Sequence, residues 1–177
     1  MNYKIVLISL LLFTLIFNAC KNSNEYDSAK DKVDLDIGIE VNPSDPDLLD
    51  ARSRAEEKLI GINKEGLFNS LITDYWHYDV VVKGTGPVDD FKGYWLKFNE
   101  DQTYLQGLYD KELVKGKWNY NPDTERLTML PDNKDGMPSE FTLMPKPKTI
   151  ICVGTPDFRN NDTQMKLVQV TGFPVFE

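Results

Sequence analysis

His77 is the sole histidine of the chain, and Cys20 and Cys152 are its two cysteines. One histidine and a single thiol in the folded part do not supply the ligands of a tetrahedral His/Cys zinc site. Spacing leaves a Ser-His-Asp triad about His77 open, but no Gly-x-Ser-x-Gly turn exists to present a serine. Cys152 lies in the apolar run Thr149-Ile150-Ile151-Cys152-Val153, where a buried, inert thiol is expected. Asp89-Asp90 and Glu100-Asp101 are adjacent carboxylates, and acid/base work would require them to converge in space. Asp132-Asn133-Lys134-Asp135-Gly136 is rich in oxygen ligands, yet it misses the calcium-loop register and its closing glutamate, so it reads as a solvated turn. Residues 156–162 read the same way, and Lys83-Gly84-Thr85-Gly86-Pro87 is too short to cradle phosphates. No catalytic residue, metal site or cofactor is expected, and the chain reads as a non-enzyme.

Aromatic residues are the other side chains with chemical potential. Trp76, Tyr78, Tyr94, Tyr104, Trp118 and Tyr120 recur at strand spacing on the faces assigned inward. A cavity lined by them would take a small apolar or amphipathic ligand, with phenol and indole groups fixing its orientation. The simpler reading is that they form the core, which is the default for aromatics at this spacing.

The elements that must position these residues begin with Lys4 and an apolar run over residues 5–17. That run has the length of a signal-peptide core and is short for a membrane span. It ends in Phe17-Asn18-Ala19-Cys20, which resembles the lipobox of bacterial lipoproteins. Ala19 matches the small residue before the cysteine, whereas Phe17 and Asn18 depart from the commonest pattern. The resemblance implies cleavage after residue 19 and acylation (palmitate or a similar chain) at Cys20. The partner would be the membrane itself, since more than one acyl chain gives stable anchoring. Lys21 in place of an aspartate after the cysteine implies the outer membrane of the cell envelope.

Acids outnumber bases by 28 to 20, for a net charge of −8, which argues against nucleic acid or anionic lipid as a partner. Residues 20–43 read as a lipidated polar tether, within which residues 33–41 alternate apolar and polar as a strand does. Ser44-Asp45-Pro46 is a helix start, and Ala51, Ala55, Leu59 and Ile62 follow at helical spacing, giving a helical segment over residues 44–72. Gly61 weakens the helix end, Gly66 is expected to stop it, and Leu67, Phe68, Leu71 and Ile72 make a second short apolar turn leading into the sheet. From residue 73 to 177 the period is two: Trp76, Tyr78, Val80 and Val82 share a face, as do Tyr94, Leu96 and Phe98. Turn signals at Asn99-Glu100-Asp101 and Asn121-Pro122-Asp123 punctuate about eight short strands. An all-β fold is expected, an antiparallel up-and-down barrel or a sandwich, preceded by an N-terminal helix.

Two stretches are similar to the lipocalin-like domains of small Gram-negative lipoproteins: residues 93–104, with an aromatic strand turning at Asp101-Gln102-Thr103, and Gly116-Lys117-Trp118 running on to residues 125–129. Gln102 stands where that family often carries glycine, and Asp74-Tyr75-Trp76 replaces the Gly-x-Trp opening of lipocalins. The resemblance spans residues 71–171 and implies a barrel that binds a small ligand. The alternative is a protein-interaction or assembly lipoprotein with the barrel as scaffold, for which Trp95 and Tyr109 look exposed.

Overall fold

The computed structural model describes residues 42–61, 64–84, 86–87 and 91–173, all within one compact unit. The expected signal peptide over residues 1–19, Cys20, most of the expected tether and the expected strand at residues 33–41 lie outside the described residues.

Helix α1 (Pro46–Lys58) starts as its sequence dictates: the Asp45 carboxylate accepts the Asp47 N–H at 2.9 Å, and Pro46 occupies the first turn. Leu48, Ala51 and Ala55 form its buried stripe. The helical segment expected over residues 44–72 comprises two helices, the second at the expected apolar turn. Leu59 caps α1 and Gly61 takes a left-handed φ of +92°, so the helix ends before the glycine expected to stop it. Helix α2 (Phe68–Thr73) then leads into the sheet.

Nine strands follow: β1 (Tyr75–Lys83), β2 (Gly86–Pro87), β3 (Tyr94–Phe98), β4 (Thr103–Leu108), β5 (Lys111–Asn121), β6 (Arg126–Pro131), β7 (Ser139–Lys146), β8 (Thr149–Gly154) and β9 (Thr163–Val170). Every pairing is antiparallel, and β9 returns to β1, so eight strands close a barrel to which β2 adds a two-residue edge. Closure removes most unpaired strand edges, and the neighbouring pairing matches the short turns in the sequence.

The interior holds one contiguous cluster that includes Trp76, Tyr78, Leu96, Phe98, Tyr104, Trp118, Tyr120, Met129 and Phe141. Helix α2 inserts Phe68 and Leu71 into it, with Phe68 stacked on Trp118 at 5.2 Å and Phe98 tilted against the same indole at 4.9 Å. The Trp76 indole donates to the Leu71 carbonyl at 2.9 Å, which joins α2 to the first strand.

Two expectations about strand faces are corrected. Val80 and Val82 do not share a face with Trp76 and Tyr78, because a bulge between Tyr78 and Val80 reverses the alternation. Val81 is buried at 1% exposure, whereas Val80 is 43% exposed. Trp95 points outward as expected, yet it is only 2% exposed. Its ring lies over Gly107, packs edge-on to Tyr75 and Phe173, and donates to the Tyr109 carbonyl at 2.8 Å. Tyr109 is 44% exposed, in line with the sequence.

The turn at Gln102 shows how the missing glycine is tolerated. Gln102 adopts φ +64°, the left-handed conformation that glycine takes most readily. Its amide donates to Asn119 Oδ1 at 3.1 Å and to the Gly61 carbonyl at 3.3 Å, so the side chain compensates for its conformation. Asp101 accepts the Thr103 N–H and hydroxyl, and those bonds hold its carboxyl below the usual carboxylate range.

Candidate functional site

Alternation along β6 and β7 turns Leu127, Met129 and Phe141 inward and leaves Thr128, Leu130 and Glu140 on the outer wall. Helix α1 lies on that wall. Ala51 and Ala55 pack with Leu130 and Phe158, the latter from a single 3-10 turn at Pro156–Phe158. Small alanines let the helix approach closely, but the apolar contact is narrow, so polar groups carry much of the attachment.

Three arginine and lysine side chains make that attachment. Arg52 donates to the carbonyls of Pro131 at 3.0 Å, Asn133 at 3.0 Å and Gly136 at 2.9 Å. The loop that resembled a calcium site therefore presents its oxygens to a guanidinium of the same chain. Arg54 donates to the Asp157 carbonyl at 2.9 Å, and it pairs with Asp50 one turn earlier.

Lys58 reaches the most heavily bonded group of the outer wall, the carboxylate of Glu140, which is 1% exposed. One Glu140 oxygen accepts from Lys58 Nζ at 2.5 Å and from the Thr128 hydroxyl at 3.2 Å. The other accepts from Arg126 at 3.0 Å and from the Thr155 hydroxyl at 3.1 Å. Asp157 adds a second acid, 3.1 Å from Arg126 and 3.6 Å from Lys58, so two acids face two bases. The Lys58 ammonium also sits 5.0 Å above the Phe158 ring. Asn160 completes the support by donating to the Glu140 backbone carbonyl at 3.0 Å and accepting the Thr155 N–H at 3.0 Å.

Recesses flank α1 on both sides. A groove of about 570 Å³ runs between Glu56, Leu59 and Ile60 of the helix end and Gln102, Lys117 and Leu130 of the barrel. A smaller polar recess of about 220 Å³ opens over Lys58, Asn119, Arg126, Thr128 and Glu140. Ile60 is 81% exposed at the rim of the larger groove.

The residues expected to bind a ligand are brought together, but as part of the packed interior. Trp76, Tyr78, Tyr104, Trp118 and Tyr120 belong to the interior cluster, and Tyr94 packs against its margin, 6.2 Å from the Tyr78 ring. Burial pushes the Tyr78 and Tyr104 phenols well up from their ordinary values and pushes the Cys152 thiol up to about 12. Cys152 is fully buried, as expected of an inert thiol. His77 faces away from Trp76 and Tyr78, and burial lowers its pKa against the opposing pull of Asp79. Among the described residues no cluster of three or more His, Cys, Asp or Glu is placed to hold a metal ion. No described helix is long and apolar enough to cross a membrane.

Glu140 was not singled out by the sequence, because an acid between Ser139 and Phe141 reads as an ordinary outward position of a strand. Only the packing of α1 against that wall buries it. A weak signal existed in the basic residues of α1, since Arg52 and Lys58 both point their charge at the barrel rather than at solvent.

The described residues thus define a closed, antiparallel eight-stranded barrel with a helix clamped to its outer wall. No family model matches the chain, and no curated protein matches it in sequence. Among solved structures it is similar to a DUF4847 family protein from Bacteroides vulgatus, at 7% identity and a TM-score of 0.44, over 61% of this chain and 100% of that one.

Proposed function

We propose that the chain is a lipid-anchored protein of the outer membrane whose barrel serves as a rigid scaffold and whose outer wall, beside α1, engages a protein partner. The observation that carries this reading is the packing of the barrel interior. Phe68 and Leu71 of α2 enter a cluster already occupied by Phe98, Trp118 and Phe141, while the grooves open outside. A partner suited to the larger groove would insert an apolar side chain against Leu59, Ile60 and Leu130 and pair its polar rim with Glu56, Lys117 and Asp132. The anchor rests on Cys20 at the end of the apolar run.

Mass analysis of the mature protein tests the anchor. An N-terminal Cys20 carrying acyl chains is the expected result, together with release of a Cys20→Ser variant from membranes and a barrel that still unfolds cooperatively. A wild-type chain that retains residues 1–19 and carries no lipid would remove the anchor.

Ligand binding by the barrel is the second reading, and one observation favours it: three buried polar atoms on the inner face have no hydrogen-bond partner among the described residues.

A further inference from the structure

Antiparallel strands with one face in water turn polar residues outward, and one wall of this barrel breaks that rule. In the ring of strands β1 stands opposite β6, so the wall of β8, β9, β1 and β3 faces away from α1. Met144 of β7, Ile151 of β8 and Val80 of β1 form one outward row across the sheet, interrupted only by Lys166 of β9. Beside it, Val168 of β9 is in register with His77, and His77 with Trp95. Phe173 packs edge-on to Tyr75 and Trp95 at the same wall. Val80, Met144 and Phe173 are exposed.

Charge on this wall is opposite in sign to that of the chain. The net charge is −8, yet the four strands carry Lys83, Lys97 and Lys166 against a single acid, Asp79. Lys146 at the end of β7 and Lys148 in the turn to β8 add to them. Lys166 pairs with Asp79 at 2.5 Å, whereas Lys146 and Lys148 make no ion pair among the described residues. The Lys148 carbonyl accepts the Gln169 N–H at 2.9 Å, which sets this basic turn beside the end of β9. There Val170 is in register with Tyr75, whose ring lies against Phe173 on one side and 5.2 Å from the Lys97 ammonium. The negative net charge is therefore an average over two unlike walls.

We propose that this wall lies on a membrane surface bearing anionic headgroups, which turns α1 and its grooves away from the bilayer. Lysine tips reach the headgroup phosphates while Met144, Val80 and Phe173 enter the layer between them. Protein partners seat their anchors in pockets, but the recesses flanking α1 include no residue of β8, β9, β1 or β3. A convex wall of single apolar side chains set among lysines suits a fluid surface that closes around each of them. The inference rests on the lipid anchor proposed above, which brings the barrel to the bilayer.

The test uses the full chain as matured in cells, with Met144 replaced by a photoreactive residue, mixed with phosphatidylglycerol or phosphatidylcholine vesicles. From position 144 a phospholipid adduct is expected in phosphatidylglycerol, weakened by added salt and far weaker in phosphatidylcholine; from position 60, beside α1, none is expected. Lys146→Glu with Lys148→Glu should cut the adduct about tenfold, and Lys146→Arg with Lys148→Arg should retain it. Equal lipid adducts from both positions, equal adducts in the two vesicle types, or a crosslinked pair of chains from position 144 would overturn the proposal. Intact mass reads the anchor separately. An acylated chain that crosslinks lipid from neither position keeps the anchor and loses the wall, and an unacylated chain that crosslinks from 144 does the reverse. A chain that stays out of both kinds of vesicle refutes both.

Discussion

Replacing Glu140 by glutamine should destabilise the barrel by about 3 kcal/mol, and the geometry shows why. Each carboxylate oxygen accepts from one cation and one hydroxyl: Lys58 with Thr128 on one side, Arg126 with Thr155 on the other. A glutamine amide keeps one acceptor oxygen but turns its NH2 group toward one of the two cations. Either hydroxyl can rotate to accept from that NH2, whereas an ammonium or guanidinium cannot. One charge-assisted hydrogen bond is therefore lost outright, at about 1.5–3 kcal/mol, and the other loses its charge. Lys58 and Arg126 are each about one-third exposed, so water takes back part of the loss, and Asp157 still faces both. The net figure of about 3 kcal/mol corresponds to a fall in Tm of about 10 °C for a domain of this size. Urea unfolding followed by tryptophan fluorescence measures the change, and amide hydrogen exchange in α1 shows whether the helix is loosened first. A cycle with Lys58→Met separates the coupling from the cost of each single change. An effect under about 1 kcal/mol, or equal exchange protection of α1 in both proteins, would refute the view that Glu140 clamps α1 to the barrel.

Three further outcomes are expected. Stability should hold up to the ordinary thiol pKa of 9.0 and then fall by about 1.4 kcal/mol per pH unit through Cys152 alone, because the unfolded thiol ionises first while the folded one stays protonated to about 12. Tyr78 and Tyr104, raised in the same direction by burial, steepen the fall at higher pH; equal slopes in wild type and Cys152→Ala between pH 9 and 11 would contradict the Cys152 contribution. Gly107→Ala should cost at least about 3 kcal/mol and shift Trp95 emission, since an added Cβ would lie 2.1 Å from the indole; an unchanged midpoint would deny that contact. Gln102→Gly should change stability by less than about 1 kcal/mol, because relief of the φ +64° backbone offsets the lost amide bonds to Gly61 and Asn119.

Much of this architecture was legible in the residues. Alternation of Tyr94, Leu96 and Phe98, and of Ile150 and Cys152, specified inward faces, and the turns at Asn99 and Asn121 set the strand boundaries. Strand number and short turns left a barrel and a sandwich equally open, and it is the pairing of β9 with β1 that closes the barrel. The bulge after Tyr78 was not legible, since Asp79-Val80-Val81-Val82 fits either phase and only pairing with β9 decides between them. Nor was the burial of Trp95, which depends on glycine at position 107 and on Phe173 far along the chain. Among the candidate ligand residues, periodicity identified the inner face correctly but could not distinguish a packed core from a lined cavity. The Glu140 cluster escaped notice for a different reason. Its members are Lys58, Arg126, Thr128, Glu140 and Thr155, which share no sequence motif and meet only when α1 and the turn after β8 close over two strands.

Photo-crosslinking from position 60, in the full chain in its native cells, addresses the proposed outer-wall function most directly. With Ile60 at the rim of the larger groove replaced by a photoreactive residue, one discrete protein adduct is expected, reduced at least tenfold by Leu130→Asp. A probe at Met144, exposed on β7, should yield none. Equal labelling from both positions, or no adduct from position 60 at native protein levels, would contradict a partner-binding surface beside α1.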